Sequence, residues 1–370
     1  MEELLRHSST YHYTLATSKD KKMKDLFEII DKSKNIDDRF KMLTSTPYLS
    51  AAKGEINRIY NSWNGFDKDF ANQFQTTNYE SRLWELYTYE FLKSHKFLIE
   101  KSQEERPDFK ISIENEILYI ECVTSNAKYG DRSDIMLNSL NTELEVDFIT
   151  RIGSSLFTKL SKEYHKLNWV KGKPLVFAIQ PFHNSESFNM NVYSIVKYLY
   201  GYEIVKDNHQ NEGIKTTFNK ITNCKKDEHG ELKEMASFFD LPNSEYVSGI
   251  IFTNSATIGK FSRMGFQNGL DNGETLDIIY SGIGYSDKLN DTKPGSFVNS
   301  IKDKPFDNYN YGVTFFHNPN AKYPIDEDLF FCTQCKLAND EILWRRMNFY
   351  PYNGKNFRIT KATMNESASS

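Results

Sequence analysis

The stretch RPDFKISIENEILYIECVTS, residues 106–125, decides how the chain folds. Apolar side chains fall at Phe109, Ile111 and Ile113, and again at Leu118, Ile120 and Cys122, with mostly polar residues between them. That period of two is the mark of strands with one face buried. Turning the chain at Glu114-Asn115 pairs residues 108–113 with 116–121. Phe109 then opposes Ile120, Ile111 opposes Leu118, and Ile113 opposes Glu116. One face carries the six apolar residues, and the other carries Asp108, Lys110, Ser112, Tyr119 and Glu121. A slip of one residue would scatter the apolar set over both faces, so this register is favoured.

The same register sets Asp108 against Glu121, with Cβ atoms roughly 5 Å apart. Like charges so placed destabilise a sheet. A divalent cation offsets this directly, because magnesium takes one or two carboxylate oxygens and fills its other positions with water. A solvated pair at a sheet edge is the alternative, and the charge pattern alone leaves both open.

Working outward, residues 79–95 (YESRLWELYTYEFLKSH) form the strongest helix, with Leu83, Trp84, Tyr87, Thr88 and Phe91 at helical spacing. A short strand at 97–100 follows. Downstream come a polar loop at 125–134 and a helix near 153–168. The apolar run PLVFAIQ at 174–180 reads as a buried central strand, followed by a helix near 190–200. Residues 206–234 are a polar surface excursion. VSGIIFT at 247–253 is a second buried strand, and Asp340–Met347 reads as a closing helix. The expected class is α/β: a mixed central sheet flanked by helices. The expected parts are a helical N-terminal region (1–78), a core (79–260) and a mixed α+β C-terminal region (261–370), with a disordered tail from Asn365.

Pro107-Asp108, with Glu121 thirteen residues on, lying on antiparallel strands behind a helix that carries glutamates, resembles the PD-(D/E)XK nuclease superfamily. The resemblance covers roughly residues 79–200. It implies a restriction-endonuclease-like fold, magnesium held by Asp108 and Glu121, and cleavage of phosphodiester bonds, in DNA rather than RNA, as in defence against foreign DNA. The family places a lysine two residues after the second acid, where this chain has Val123. Relocated lysines occur in the superfamily. Lys159 is preferred here to Lys110, which points down the sheet away from the metal end. The first helix offers Glu80 or Glu85 as a further ligand. Glu85 is preferred because it sits within the apolar stripe, where a charge needs a reason. A nuclease-like fold without catalysis, serving as a nucleic-acid- or partner-binding subunit, is the competing expectation, and Val123 is the feature that favours it.

Phosphate contacts call for cations near such a site. Residues 151–173 hold six lysines and arginines against the single acid Glu163. Lys159, Lys162 and Lys166 would make one stripe on a helix. Lys260 and Arg263 form a second basic point in the Gly-flanked segment 260–269, which reads as a loop.

Composition removes several classes. The 370 residues carry a net charge of −4 with 14% aromatic side chains, which suits a folded acidic protein rather than a histone-like one. No run approaches the roughly 18 apolar residues of a membrane helix, and the N-terminus has no secretory pattern. Four cysteines are too few for a disulfide scaffold, so a reducing, cytoplasmic setting is expected. Cys332 and Cys335 form a lone CxxC with no second pair, and no GxxxxGK[ST] phosphate loop occurs. A homodimer or a partner protein is compatible with all of this.

Overall fold

A computed structural model describes residues 25–31, 34–100, 107–113, 116–126, 141–182, 192–207, 215–226, 231–288, 293–303 and 306–361. The turn at Glu114-Asn115, most of the expected loop at 125–134 and the tail from Asn365 lie outside them. In chain order the first elements are helices α1 (Asp38–Ser45), α2 (Ser50–Ser62), α3 (Phe70–Gln75) and α4 (Tyr79–Ser94), then strands β1 (Leu98–Glu100), β2 (Phe109–Ile113) and β3 (Glu116–Asn126). The β2–β3 ladder is antiparallel, with Phe109 opposite Ile120, Ile111 opposite Leu118 and Ile113 opposite Glu116, the register that the alternation requires. β1 closes the far side of β2, where Lys110 pairs with Glu100 at 2.6 Å.

Next come α5 (Asn141–Leu160), β4 (Leu175–Phe182), α6 (Val192–Tyr200), the short strands β5 (Tyr202–Asp207), β6 (Lys215–Lys220), β7 (Asn223–Lys226) and β8 (Leu232–Met235), and then β9 (Gly249–Thr253). The polar excursion is thus two small hairpins, β5–β6 and β7–β8. The chain continues through α7 (Ile258–Gln267), β10 (Thr275–Tyr285), β11 (Gly295–Ser300), β12 (Val313–His317), β13 (Thr333–Ala338), β14 (Glu341–Arg345) and β15 (Tyr350–Thr360).

Eight strands form one mixed sheet in the order β1-β2-β3-β4-β9-β12-β13-β14. β3, β4 and β9 run parallel at its centre. β4 is buried along its whole length, as a strand covered on both faces must be. Alternation divides the side chains into two cores. Phe109, Ile120, Val176, Ala178 and Phe315 pack beneath α4 and the N-terminal helices. Tyr119, Phe177, Ile179, Phe252 and Phe316 pack beneath α5 and α6. The result is a three-layer arrangement of helices, sheet and helices.

Three expectations change. Residues 340–347 are not a helix: Asn339 and Asp340 both adopt positive φ (52° and 60°) and turn β13 into β14 as a two-residue hairpin. The segment 260–269 is not a loop but lies mostly in α7, capped by the Thr257 side chain. The division near residue 260 does not separate units, because β12, β13 and β14 complete the sheet begun by β1. Beyond that sheet, β11-β10-β15 form a small antiparallel sheet of their own.

Candidate functional site

The site begins where β3 outruns β2. Their ladder stops at Phe109 opposite Ile120, while β3 continues to Asn126. Just before β2, at Pro107-Asp108, the backbone is no longer paired with β3, and the Asp108 carboxylate takes its place: its Oδ2 accepts the Cys122 N–H at 2.7 Å. Asp108 is therefore fixed at the mouth of the hairpin. Burial, then the Glu121 carboxylate, then that of Glu85 push its pKa well above the ordinary aspartate range, against the attraction of Lys159.

Glu121 lies on the opposite face of β3 from Cys122 and is wholly buried on the α5 side. Its Oε1 takes an ion pair from Lys159 and a hydrogen bond from the Tyr164 hydroxyl at 2.7 Å. Lys159 arrives in the last turn of α5, a helix seated on the sheet by Phe148, Ile152, Leu156 and Leu160. Tyr164 arrives by a reversal. The helix ends at Leu160, Glu163 takes a left-handed conformation (φ 50°), and a short 3-10 turn at 164–166 brings the ring under the sheet. The expected helix near 153–168 therefore begins earlier and ends earlier. No breaker in the sequence marks its end, because a contact far away in sequence sets it.

Helix α4 supplies the third acid. The Trp84 indole donates to the carbonyl of Ala178 on β4 at 2.8 Å, and the Ser81 hydroxyl meets that of Thr124 at 3.0 Å. These contacts fix the helix against β3 and β4, and Glu85 follows into the cleft. Burial raises the Glu85 pKa to about 7, although Arg82 one turn back pairs with it at 2.8 Å. Arg82 also pairs with Asp67 at 2.8 Å. Burial opposes its charge, but these two acids outweigh that and raise its pKa. Sequence reasoning missed both Arg82 and Tyr164. The i, i+3 spacing of Arg82 and Glu85 was a readable signal, whereas nothing in the spacing points to Tyr164. Glu80, the other glutamate considered on α4, is bound to Arg39 instead.

Asp108, Glu85, Arg82 and Lys159 line a cleft of roughly 470 Å³ between α4 and α5, floored by Cys122, Val123 and Thr124. Its walls are rich in hydroxyls and amides: Asn78, Ser81, Ser154, Ser155 and Thr158. Among the described residues no three acids, histidines or cysteines stand together as a ready ligand group for a metal. A hard divalent cation nonetheless suits what is there, since it would relieve the repulsion that raises the Asp108 pKa and needs few protein ligands. Asp108 lines the cleft, whereas Glu121 does not and its Oε1 is taken by Lys159 and Tyr164, so a cation held by both acids would have to displace Lys159. Glu85 would join only by loosening its hold on Arg82.

The remaining basic residues stand apart. Lys162 is exposed in the turn after α5, and Lys166 is exposed and pairs with Glu163 at 2.7 Å. The stripe expected from Lys159 through Lys166 does not exist, because the helix stops between them. Arg263 is no surface contact: it is 5% exposed, binds Asp307 at 2.6 Å and lies over the Tyr280 ring at 3.7 Å. Cys332 and Cys335 point into opposite cores, so they do not converge on one ligand. No helix among the described residues is long and apolar enough to cross a membrane. Comparison with family models, curated proteins and solved structures finds no match for this chain.

Proposed function

We propose that the chain is a magnesium-dependent nuclease of restriction-endonuclease-like type, hydrolysing phosphodiester bonds, with DNA as its substrate. One observation carries the reading. Asp108, Glu85 and Lys159 come from three separate segments and line one polar cleft, and Glu121, buried next to it, holds the Lys159 ammonium. A packing role does not call for that convergence, because gathering buried carboxylates costs stability unless they are put to use.

In this reading Asp108 and Glu121 would hold a divalent cation, which when bound would supply Lewis-acid polarisation of the phosphate and a water of lowered pKa. The chain's own groups do the rest. Lys159, now on Glu121, would orient the attacking water or meet charge developing on the phosphoryl oxygens. Tyr164 holds the Glu121 carboxylate in its rotamer. Arg82 opposes the effect of burial on Glu85, or frees it by moving onto a phosphate. The hydroxyls of Ser154, Ser155 and Thr158 offer donors to the flanking backbone.

A second reading, a nuclease-like fold that binds without cutting, has its own support. Val123 stands at the usual lysine position, and Glu121 and Glu85 are already neutralised by Lys159 and Arg82. Incubating the chain with supercoiled plasmid in magnesium and in EDTA separates the two. Nicking that needs magnesium and disappears in Lys159→Ala supports the nuclease; DNA retention without nicking supports the binder.

A further inference from the structure

The small sheet β11-β10-β15 carries apolar side chains on both of its faces. Its inner face packs on α7: the Arg263 guanidinium lies over the Tyr280 ring at 3.7 Å, and Asn356 donates to the carbonyl of Gly259 at 3.0 Å. Strand alternation sends the next set of side chains outward. The ladders put Phe357 opposite Ile279 and Val298 opposite Ser281, so these four share the outer face with Ile283 and Ile359, each two residues from one of them or its neighbour. Val298 is 73% exposed, Phe357 56%, Ile283 43% and Ile359 36%. These four stand together, whereas other exposed apolar side chains such as Leu98, Phe157 and Leu343 lie singly on separate elements. An antiparallel sheet with one face in water carries polar residues on that face, and apolar residues on both faces mark a sheet covered on both.

The chemistry of the face selects its occupant. Within the paired strands Lys355 is the one charged side chain exposed on it. A nucleic acid would find no row of cations there, and a charged partner would find little charge to match. The large side chains alternate with Ser281, Ser296 and Ser300, leaving hollows that the same pattern, turned about a two-fold axis, can fill. The β10–β15 ladder makes the face roughly 30 Å long, and three strands make it about 15 Å wide. Two such faces together would remove about 1,000 Å² from water, the lower bound for a specific interface.

We infer that the chain forms a two-fold dimer by packing this outer face on that of a second copy. The inference stands apart from the reading of the cleft and survives if no cutting is found. Because the area is near the lower bound, the dimer should be reversible, with a dissociation constant on the order of 10 μM. Sedimentation velocity of the full chain, across a range from about tenfold below that value to about tenfold above it, is the test. Native protein should pass from monomer to dimer across the range. Val298→Glu and Phe357→Glu each put a charge into the apolar contact and should raise the dissociation constant at least about tenfold, whereas Leu343→Glu, on the edge strand β14, should leave it unchanged. All three side chains are exposed, so near-ultraviolet dichroism and the unfolding midpoint of the dilute monomer should stay native, which separates a lost contact from a lost fold. Native protein that remains monomeric at the highest concentration overturns the inference and leaves the face to another occupant. A dimer that survives both Val298→Glu and Phe357→Glu, or that is lost equally in Leu343→Glu, overturns it as well.

Discussion

Two buried charges show, residue by residue, how the chain manages ionised groups away from water. At Glu121 a single carboxylate oxygen receives both the Lys159 ammonium and the Tyr164 hydroxyl. Tyr164→Phe removes one of these donors, and the expected loss is about 1.5 kcal/mol, the low end for a hydrogen bond to a charged group because Lys159 stays; urea unfolding measures it. At Asp307 the problem is reversed, since one carboxylate serves both Lys260 and Arg263. Burial, helped by the Arg263 charge, lowers the Lys260 pKa to about 8. Between about pH 8 and the ordinary lysine value near 10.5 the unfolded chain then binds a proton that the folded chain does not. Native stability relative to Lys260→Met should therefore rise with pH across that window and be flat below it. Paired urea titrations at several pH values check the sign; a gap that narrows as pH rises would contradict it. Strand period put Asp108 beside Glu121 and the apolar stripe of α4 singled out Glu85, whereas Lys159 was chosen on the family resemblance and not on any spacing. Arg263 was misread because a cation beside glycines looks solvent-facing until its acid, 44 residues away, is seen.

At the scale of elements, close approach explains more than propensity. α7 crosses α2 so tightly that a Cβ at Gly265 would lie 1.9 Å from the Ala51 carbonyl oxygen. Gly265→Ala must push the two helices apart and should cost about 3 kcal/mol, the upper part of the range for overpacking, read as a lowered urea midpoint. The hairpin β2–β3 was legible to the residue because its alternation admits one register. The end of α5 was not, because Tyr164 is drawn back by Glu121 rather than stopped by a local signal. The β13–β14 hairpin was misread as a helix because its Asn339-Asp340 turn is not the Asn-Gly pair that advertises such hairpins, although both residues tolerate positive φ.

For the whole molecule, the eight-stranded sheet joins what composition alone would divide. β9 lies between β4 and β12, with Phe315 opposite Ile251 and Phe316 opposite Ile250. A chain ending at residue 260 would bare that ladder and both cores beneath it. It should fail to fold cooperatively, seen as lost near-ultraviolet dichroism and rapid digestion by protease, whereas a protease-resistant 1–260 fragment would show the sheet to be divisible. The sheet also positions the cleft residues, since Glu121 of β3 meets Lys159 of α5 while Asp108, just before β2, accepts the Cys122 N–H of β3. The most direct measurement is the rate of strand scission against magnesium concentration for the native chain and for Asp108→Asn, a substitution that keeps the shape and removes the charge. The native rate should rise to a plateau with magnesium, and Asp108→Asn should fall at least about a thousandfold at every concentration, roughly 4 kcal/mol of lost transition-state stabilisation. Scission by Asp108→Asn within tenfold of native, or no magnesium-dependent scission by the native chain, would contradict the account.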